Sequence, residues 1–411
     1  MTGEAREPMN DRGSTTETHV DALDYLRDEL AQLDRDGLRV PTRTLDGPTG
    51  ARCRVDGREV INLASNNYLG LANHPRLNAA AADAARRLGA GTGAVRPIAG
   101  QMTIHLELER AFAAFKHAAS ALVFQSGFTS NAGTVAAILG PDDVIVSDRL
   151  NHASIIDGAR LSRAEILVYD HRDATHADEL LAGSARPGRR QLLVTDGVFS
   201  MDGDVAPLPS LVEVAERRGA IMMVDDAHAT GVLGTGGAGT VDHFGLHGRV
   251  HVQVGTLSKA IGVMGGFIAG SPELTDWLRV RGRPYLFSTS APPPVAAACL
   301  EALAVLRDEP ERLERLRANA ERFRAGLSSL GFGTGASETP ITPVIVGDEV
   351  RARALADGLF AAGVFAPAIV FPTVPKGLAR VRTIVTADHT DEDLDEAVAV
   401  FGRVGEAVGA I

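Results

Sequence analysis

The chain has 411 residues, enough for two or three domains, and its 45% hydrophobic and 23% charged residues are the proportions of a globular protein rather than a disordered one. A net charge of −11 without a basic block argues against binding to a nucleic-acid backbone, and no apolar run reaches the ~18 residues of a membrane span. Two cysteines, Cys53 and Cys299, exclude a disulfide scaffold and a Cys-rich zinc site; the polar N-terminus has no signal-peptide core, so a cytoplasmic location is expected.

Residues 1–19 read as a mobile polar tail, followed by an N-terminal helix and hairpin segment over 20–65. Leu23, Leu26, Leu30 and Leu33 recur at helical spacing, with Gly37 placed as the stop. Short β-rich runs flank Asp56-Gly57, a hairpin turn signal. From 66 to 291, apolar runs of strand length alternate with helical stretches: ALVFQ (121–125), VIVS (144–147), EILVY (165–169), QLLVTD (191–196), AIMMVDD (220–226), HVQVGT (251–256) and GGFIAG (265–270). This alternation predicts an α/β domain with a mostly parallel sheet covered on both faces. The short connection between the last two runs makes one of them a candidate antiparallel strand. From 292 to 411, a long helix ending at Gly331 precedes strands at 341–347, 364–371 and 380–387 and helices at 349–362 and from Thr390, a smaller α+β domain. No repeat of solenoid or propeller period occurs.

Four stretches carry candidate chemistry. In AIMMVDDAHATGVLG, a buried strand delivers Asp225 and Asp226 at its carboxyl end, the ligand side of a parallel sheet, with His228 just beyond. Alone, this fits a capped loop with an ordinary histidine equally well. In VQVGTLSKAIGVMGG, Lys259 lies in an apolar, small-residue run. Burial lowers a lysine's pKa and suits it to a Schiff base with an aldehyde cofactor, although the side chain could also snorkel to solvent. Ser126-Gly127 open a helix after a strand, where free amides bind phosphate. His152 follows another strand, as a site residue or as an N-cap or core histidine. His105, His171, His243 and His247 read as surface or interface histidines, and the MDGD turn lacks the further ligands of a calcium loop, so no metal site is expected.

The order phosphate turn, His152, Ser200, Asp225, His228, Thr256, Lys259 is that of a fold-type I pyridoxal phosphate enzyme. SNNYLGL (65–71), FQSGF (124–128), NHASIIDG (151–158), GVFSMDGD (197–204), DDAHATGVLG (225–234), TLSK (256–259), FSTS (287–290) and FPTVPKGLARVRTIVTA (371–387) extend the pattern. The chain thereby resembles, from about Leu23 to its C-terminus, the α-oxoamine synthases, the family of 8-amino-7-oxononanoate synthase and glycine C-acetyltransferase. FQSGF, NHASIIDG and VDHF look nearer to its bifunctional, broad-specificity members, and Val95 stands where many members carry Ser or Thr.

The resemblance implies a fold-type I, aspartate aminotransferase-like fold, pyridoxal 5′-phosphate as cofactor, and condensation of glycine or L-alanine with an acyl-CoA, releasing CoA and carbon dioxide. It implies that Lys259 holds the cofactor and moves the substrate proton, Asp225 pairs with the pyridinium nitrogen, His228 bonds the phenolic oxygen, and His152 stacks on the ring. Ser200 would touch the cofactor, and Gly127, Phe128 and Thr256 would secure its ring and phosphate. Ser288 and Thr289 would reach the phosphate of a neighbouring subunit, making a homodimer. Asn66 and Arg380 would hold the substrate carboxylate, Arg380 as a planar bidentate clamp, and Arg39 would contact the acyl donor. The competing readings are an aminotransferase or lyase of the same fold, against which FSTS and VPKGLARVR argue, and a non-catalytic partner subunit, against which Lys259 argues.

Overall fold

The computed structural model describes residues 21–36, 38–39 and 42–411; the expected tail and the Gly37 helix stop lie outside the described residues. The chain divides into two units, one ending at Thr44 and one running from Leu45 to Ile411. The first carries α1 (Tyr25–Arg35), which buries none of its side chains.

The second unit opens with a hairpin of β1 (Arg52–Val55) and β2 (Arg58–Asn62). Its turn residues, Asp56 and Gly57, have φ of 48° and 76°, the left-handed pair that a two-residue hairpin loop demands. Helices α2 (Pro75–Leu88) and α3 (Thr103–Phe115) lead into an alternating series: β3 (Ser120–Phe124), α4 (Gly127–Ile138), β4 (Val144–Asp148), α5 (Ala153–Ser162), β5 (Glu165–Tyr169), α6 (Ala174–Ser184), β6 (Gln191–Asp196), α7 (Leu208–Arg218) and β7 (Ile221–Asp225). The short α8 (Thr240–His243) precedes β8 (Val252–Thr256) and β9 (Gly266–Gly270). These strands form one seven-stranded sheet in the order β3-β9-β8-β7-β6-β4-β5. Only β9 runs antiparallel to its neighbours, β3 and β8, as its short connection to β8 implies.

Side chains alternate across this sheet because the strand period is two. On β3, Leu122 and Phe124 face a core shared with Val135 of α4 and Ile155 of α5, whereas Ala121 and Val123 face a core shared with α2 and α3. On β7, Met222 and Val224 pack with α6 and α7, and Met223 packs on the other side. Each fully buried Leu, Val or Phe in these layers contributes roughly 1.5–3 kcal/mol. With both faces covered, polar groups find room only at the strand ends.

The remainder comprises α9 (Pro272–Arg281), α10 (Arg283–Phe287), α11 (Pro293–Asp308), α12 (Glu311–Ser329), β10 (Ile341–Gly347), α13 (Glu349–Ala361), β11 (Val364–Phe365), β12 (Ala368–Ile369), β13 (Ala379–Ile384) and α14 (Asp391–Val408). The single strand expected at 364–371 is two short ones. β11 pairs in parallel with β2, β12 pairs with β13, and the chain changes sheets at Ala366-Pro367. Proline cannot donate to a ladder, so a switch there leaves no amide stranded.

Two histidines read as surface residues are structural. His105 is only 1% exposed; its Nδ1 accepts the Met102 amide at 3.1 Å, and its Nε2–H donates to the Ala291 carbonyl at 2.8 Å. Both ring nitrogens are thus engaged within the protein, Nδ1 in capping the start of α3. His171 lies between Asp148, 3.0 Å away, and Asp204, 2.8 Å away. Burial opposes its charged form, but the two carboxylates overcome this and raise its pKa from 6.5 to about 9. The stabilisation is therefore complete below about pH 6.5 and lost as pH rises through about 9. We expect His171→Gln to lower the denaturant midpoint most at pH 6, on the order of 2 kcal/mol, and the gap from the parent to close above pH 9. A gap independent of pH would show that the ring acts by packing alone, against Phe199.

Candidate active site

The carboxyl ends of β3, β4, β6, β7 and β8 converge, the usual ligand crevice of a parallel sheet. Asp225, the last residue of β7, is buried. Its Oδ1 accepts the Ala227 amide at 2.9 Å and its Oδ2 accepts Nδ2 of Asn131 at 2.6 Å. Asn131 also donates to Ser154 Oγ at 2.9 Å, and that hydroxyl lies 2.7 Å from His152 Nδ1. The Ser154 amide donates to the same Nδ1 at 3.2 Å, because His152 is the N-cap of α5. An Nδ1 that accepts both leaves the proton on Nε2. Burial, aided by the Lys259 charge and opposed by Asp225, lowers the His152 pKa, so the ring is neutral at pH 7.

Lys259 lies within electrostatic range of Asp225, Asp196 and Arg382. Burial outweighs the two carboxylates and brings its pKa from 10.5 down to about 8, which places a substantial neutral fraction near physiological pH. Asp196, at the end of β6, accepts the His152 amide at 3.1 Å on Oδ2 and has no partner for Oδ1. Burial and the neighbouring Asp225 push its pKa well above the usual carboxylate range. His228 is held by Tyr68, whose hydroxyl lies 2.7 Å from Nδ1. Burial first, then the positive charges of Lys259 and Arg382, drives the His228 pKa far down, leaving a neutral ring in a wall of the site.

A phosphate corner closes the other side. Ser126 caps α4, a helix of 12 residues, by accepting the Thr129 amide at 3.1 Å. A Cβ on Gly127 would lie 3.0 Å from Thr256 Cβ, and one on Gly266 would lie 2.5 Å from the Gly127 nitrogen. The three strand ends thus approach too closely for any side chain at Gly266, and Gly127 keeps its amide free at the helix terminus. Thr256 Oγ1 meets Ser258 Oγ at 2.8 Å. Phe128, the next residue of α4, is 46% exposed.

The proposed substrate side is less uniform. Asn66 is half-buried with Oδ1 unpartnered, a free acceptor beside Tyr68. Arg380 and Arg382 both lie on β13, but their surroundings differ. Arg380 is ion-paired with Asp202 and donates to the Met201 carbonyl at 3.1 Å. Arg382 donates to the Ser200 carbonyl at 3.1 Å, keeps Nε without a partner, and is near enough to Lys259, His228 and Tyr68 to shift their titration. The structure thus brings Arg382 toward the lysine and commits Arg380 to Asp202. Ser200 meets the site through its backbone. Thr289 pairs with Val95 and accepts from Gln125 Nε2 at 3.0 Å, with Ser288 just before it. Arg39, in the N-terminal unit, is exposed and 3.0 Å from Asp34.

Sequence reasoning did not single out Tyr68, Asn131, Ser154, Asp196 or Arg382. Asp196 had a signal, since it ends an apolar strand just as Asp225 does. Asn131 sits one helical turn beyond Gly127, on a face that only packing of α4 against α5 reveals.

These residues fit pyridoxal 5′-phosphate: an amine of lowered pKa, a buried carboxylate across from it, neutral imidazoles, and helix-terminal amides with hydroxyls for a phosphate. Residues 58–401 match the family described as aminotransferase class I and II. The 8-amino-7-oxononanoate synthase of Symbiobacterium thermophilum is 58% identical over 388 residues, 94% of this chain and 99% of that protein. The Bacillus subtilis protein named 8-amino-7-oxononanoate synthase 1 is 53% identical, covering 93% of this chain and 98% of its own length. Among solved structures, the serine palmitoyltransferase of Sphingomonas wittichii superposes with a TM-score of 0.89 at 33% identity, covering 95% of this chain and 98% of that one. With this, the expected fold class, cofactor and enzyme type hold. The chain belongs to the class I and II aminotransferase family, in its α-oxoamine synthase branch, and is a pyridoxal 5′-phosphate-dependent acyltransferase that joins a small amino acid to an acyl-CoA with loss of carbon dioxide.

Proposed function

We propose that the amino acid is L-alanine and the acyl donor a pimeloyl thioester, so that the chain acts as an 8-amino-7-oxononanoate synthase. The observation that carries this is the identity of 58% over nearly the whole length of a relative bearing that name, well above the 33% shared with the serine palmitoyltransferase.

Pyridoxal phosphate, when bound, supplies an electron sink for the charge left at the substrate α-carbon. Lys259 would hold the cofactor and, as a neutral amine, take the α-proton. Asp225, fixed by Asn131 and the Ala227 amide, would sustain a proton on the pyridine nitrogen. His228, with Tyr68 on Nδ1, would direct Nε2 at the phenolic oxygen. His152 would stack on the ring and place its Nε2–H toward the developing oxyanion. The Gly127 amide and Thr256 would take the phosphate, with Ser288 and Thr289 reaching that of a second subunit in a homodimer. Arg39 would contact the acyl donor. No helix among the described residues is long and apolar enough to cross a membrane, and we place the enzyme in the cytoplasm.

Within this reading Arg382, rather than Arg380, clamps the substrate carboxylate. Arg382→Lys should raise the KM for alanine roughly 10- to 100-fold, because an ammonium cannot replace a bidentate guanidinium. Arg380→Lys should leave that KM within about threefold and loosen the Asp202 loop. Equal KM effects would refute the assignment. The substrate pair is tested by thiol release from pimeloyl-CoA. Release that requires L-alanine is expected, whereas release from acetyl-CoA with glycine in preference would overturn the pair.

A further inference from the structure

We propose that His117, Asp242 and His247 form a binding site for one divalent transition-metal ion of the zinc class, apart from the active site. Among the described residues, this is the group of three His, Cys, Asp or Glu side chains whose ligand atoms all converge within 4.8 Å. The three come from separate turns of the chain: His117 just after α3, Asp242 in α8, and His247 in the loop that leads to β8.

The geometry suits coordination. Asp242 Oδ1 lies 3.1 Å from His247 Nε2 and 3.7 Å from His117 Nε2. Tetrahedral zinc, with bonds near 2.0–2.1 Å, spaces its ligands roughly 3.3 Å apart, between these two values. The carboxylate is already oriented, because its other oxygen, Oδ2, accepts the Thr235 amide. The two imidazoles, with centroids 4.6 Å apart, both aim Nε2 at this one oxygen. One cation placed between them can be shared by both ring nitrogens and the carboxylate. His117 and His247 side chains are 54% and 39% exposed, which leaves an entry path and room for water to complete the shell.

The position gives the ion a consequence. His117 follows Lys116, and Asp242 lies two residues past Thr240, whose amide donates to Asp226 at 3.1 Å. Lys116 and Asp226 are themselves a buried ion pair. A metal would therefore tie, at the surface, the segments of 117 and 242–247, which Lys116 already joins inside through its bond to the Ala238 carbonyl, and would stabilise the folded chain by mass action.

Cobalt(II) chloride titrated into the metal-free holoenzyme should give visible ligand-field bands saturating at one equivalent per chain, and zinc chloride should displace them. Zinc should also raise Tm. In the variant carrying His117→Ala and His247→Ala, whose side chains are exposed and outside the active site, the bands and the Tm rise should vanish or need at least 10-fold more metal. Absence of bands in the parent, or bands and a Tm rise unchanged in the variant, would overturn the proposal.

Discussion

Replacing Lys259 by alanine should abolish the visible absorption of the lysine-linked cofactor and lower kcat by roughly four orders of magnitude, since nucleophile and base are lost together. The fold should persist. Lys259 belongs to none of the packed cores, and a buried amine whose pKa has fallen to about 8 pays a desolvation cost that the variant avoids. Lys259→Arg sharpens the test. Arginine keeps a positive charge facing Asp225 and Asp196 but does not release its proton near neutrality. It should be as inactive as alanine. If the arginine variant kept more than about a hundredth of parental kcat, charge rather than proton transfer would be the contribution of position 259.

The second large effect is on stability. Lys116 Nζ lies 2.8 Å from Asp226 Oδ2 with both side chains fully buried, and it also donates to the Ala238 carbonyl. Asp226 is further bonded by the Thr240 amide and hydroxyl. Such a pair adds little net stability relative to apolar residues, yet losing one partner strands a charge in a dry interior. Lys116→Met should therefore destabilise the protein by about 3–5 kcal/mol in a denaturant titration. Asp226 adjoins Asp225, so cofactor retention should fall as well. Adding Asp226→Asn should recover part of the loss. No recovery would mean that the lysine acts through its carbonyl contact or its stem rather than by neutralising Asp226.

The sheet was legible because its inner strands are buried on both faces and read as apolar runs of fitting length, QLLVTD matching β6 residue for residue; EILVY matches β5 as closely by its β-rich apolar composition, although this edge strand is largely exposed. The main site residues were legible because strand ends in such a sheet are where polar groups gather, and Lys259 stood out as a charge in an apolar run. Arg380 and Arg382 show where reading stops. A period of two puts both on one face, and only the position of Asp202, nearly 180 residues away, engages the first and leaves the second near Lys259. The Asn131–Ser154–His152 relay was hidden for a similar reason: its members are ordinary polar residues on two helices, joined only once α4 packs on α5. The division of residues 364–371 turned on Pro367, a local cue whose effect depends on which edge each half finds.

The pairing of β2 with β11 has a consequence for synthesis. The hairpin emerges from the ribosome well before the strand that completes its sheet, about 300 residues further on, and before Asp393, which Arg52 meets from 341 residues away. At roughly 5–20 residues per second, the nascent hairpin spends on the order of half a minute with an open edge. On β2, the strand that carries this edge, Arg58 and Glu59 are exposed and charged, which guards it against pairing with another nascent chain during the wait.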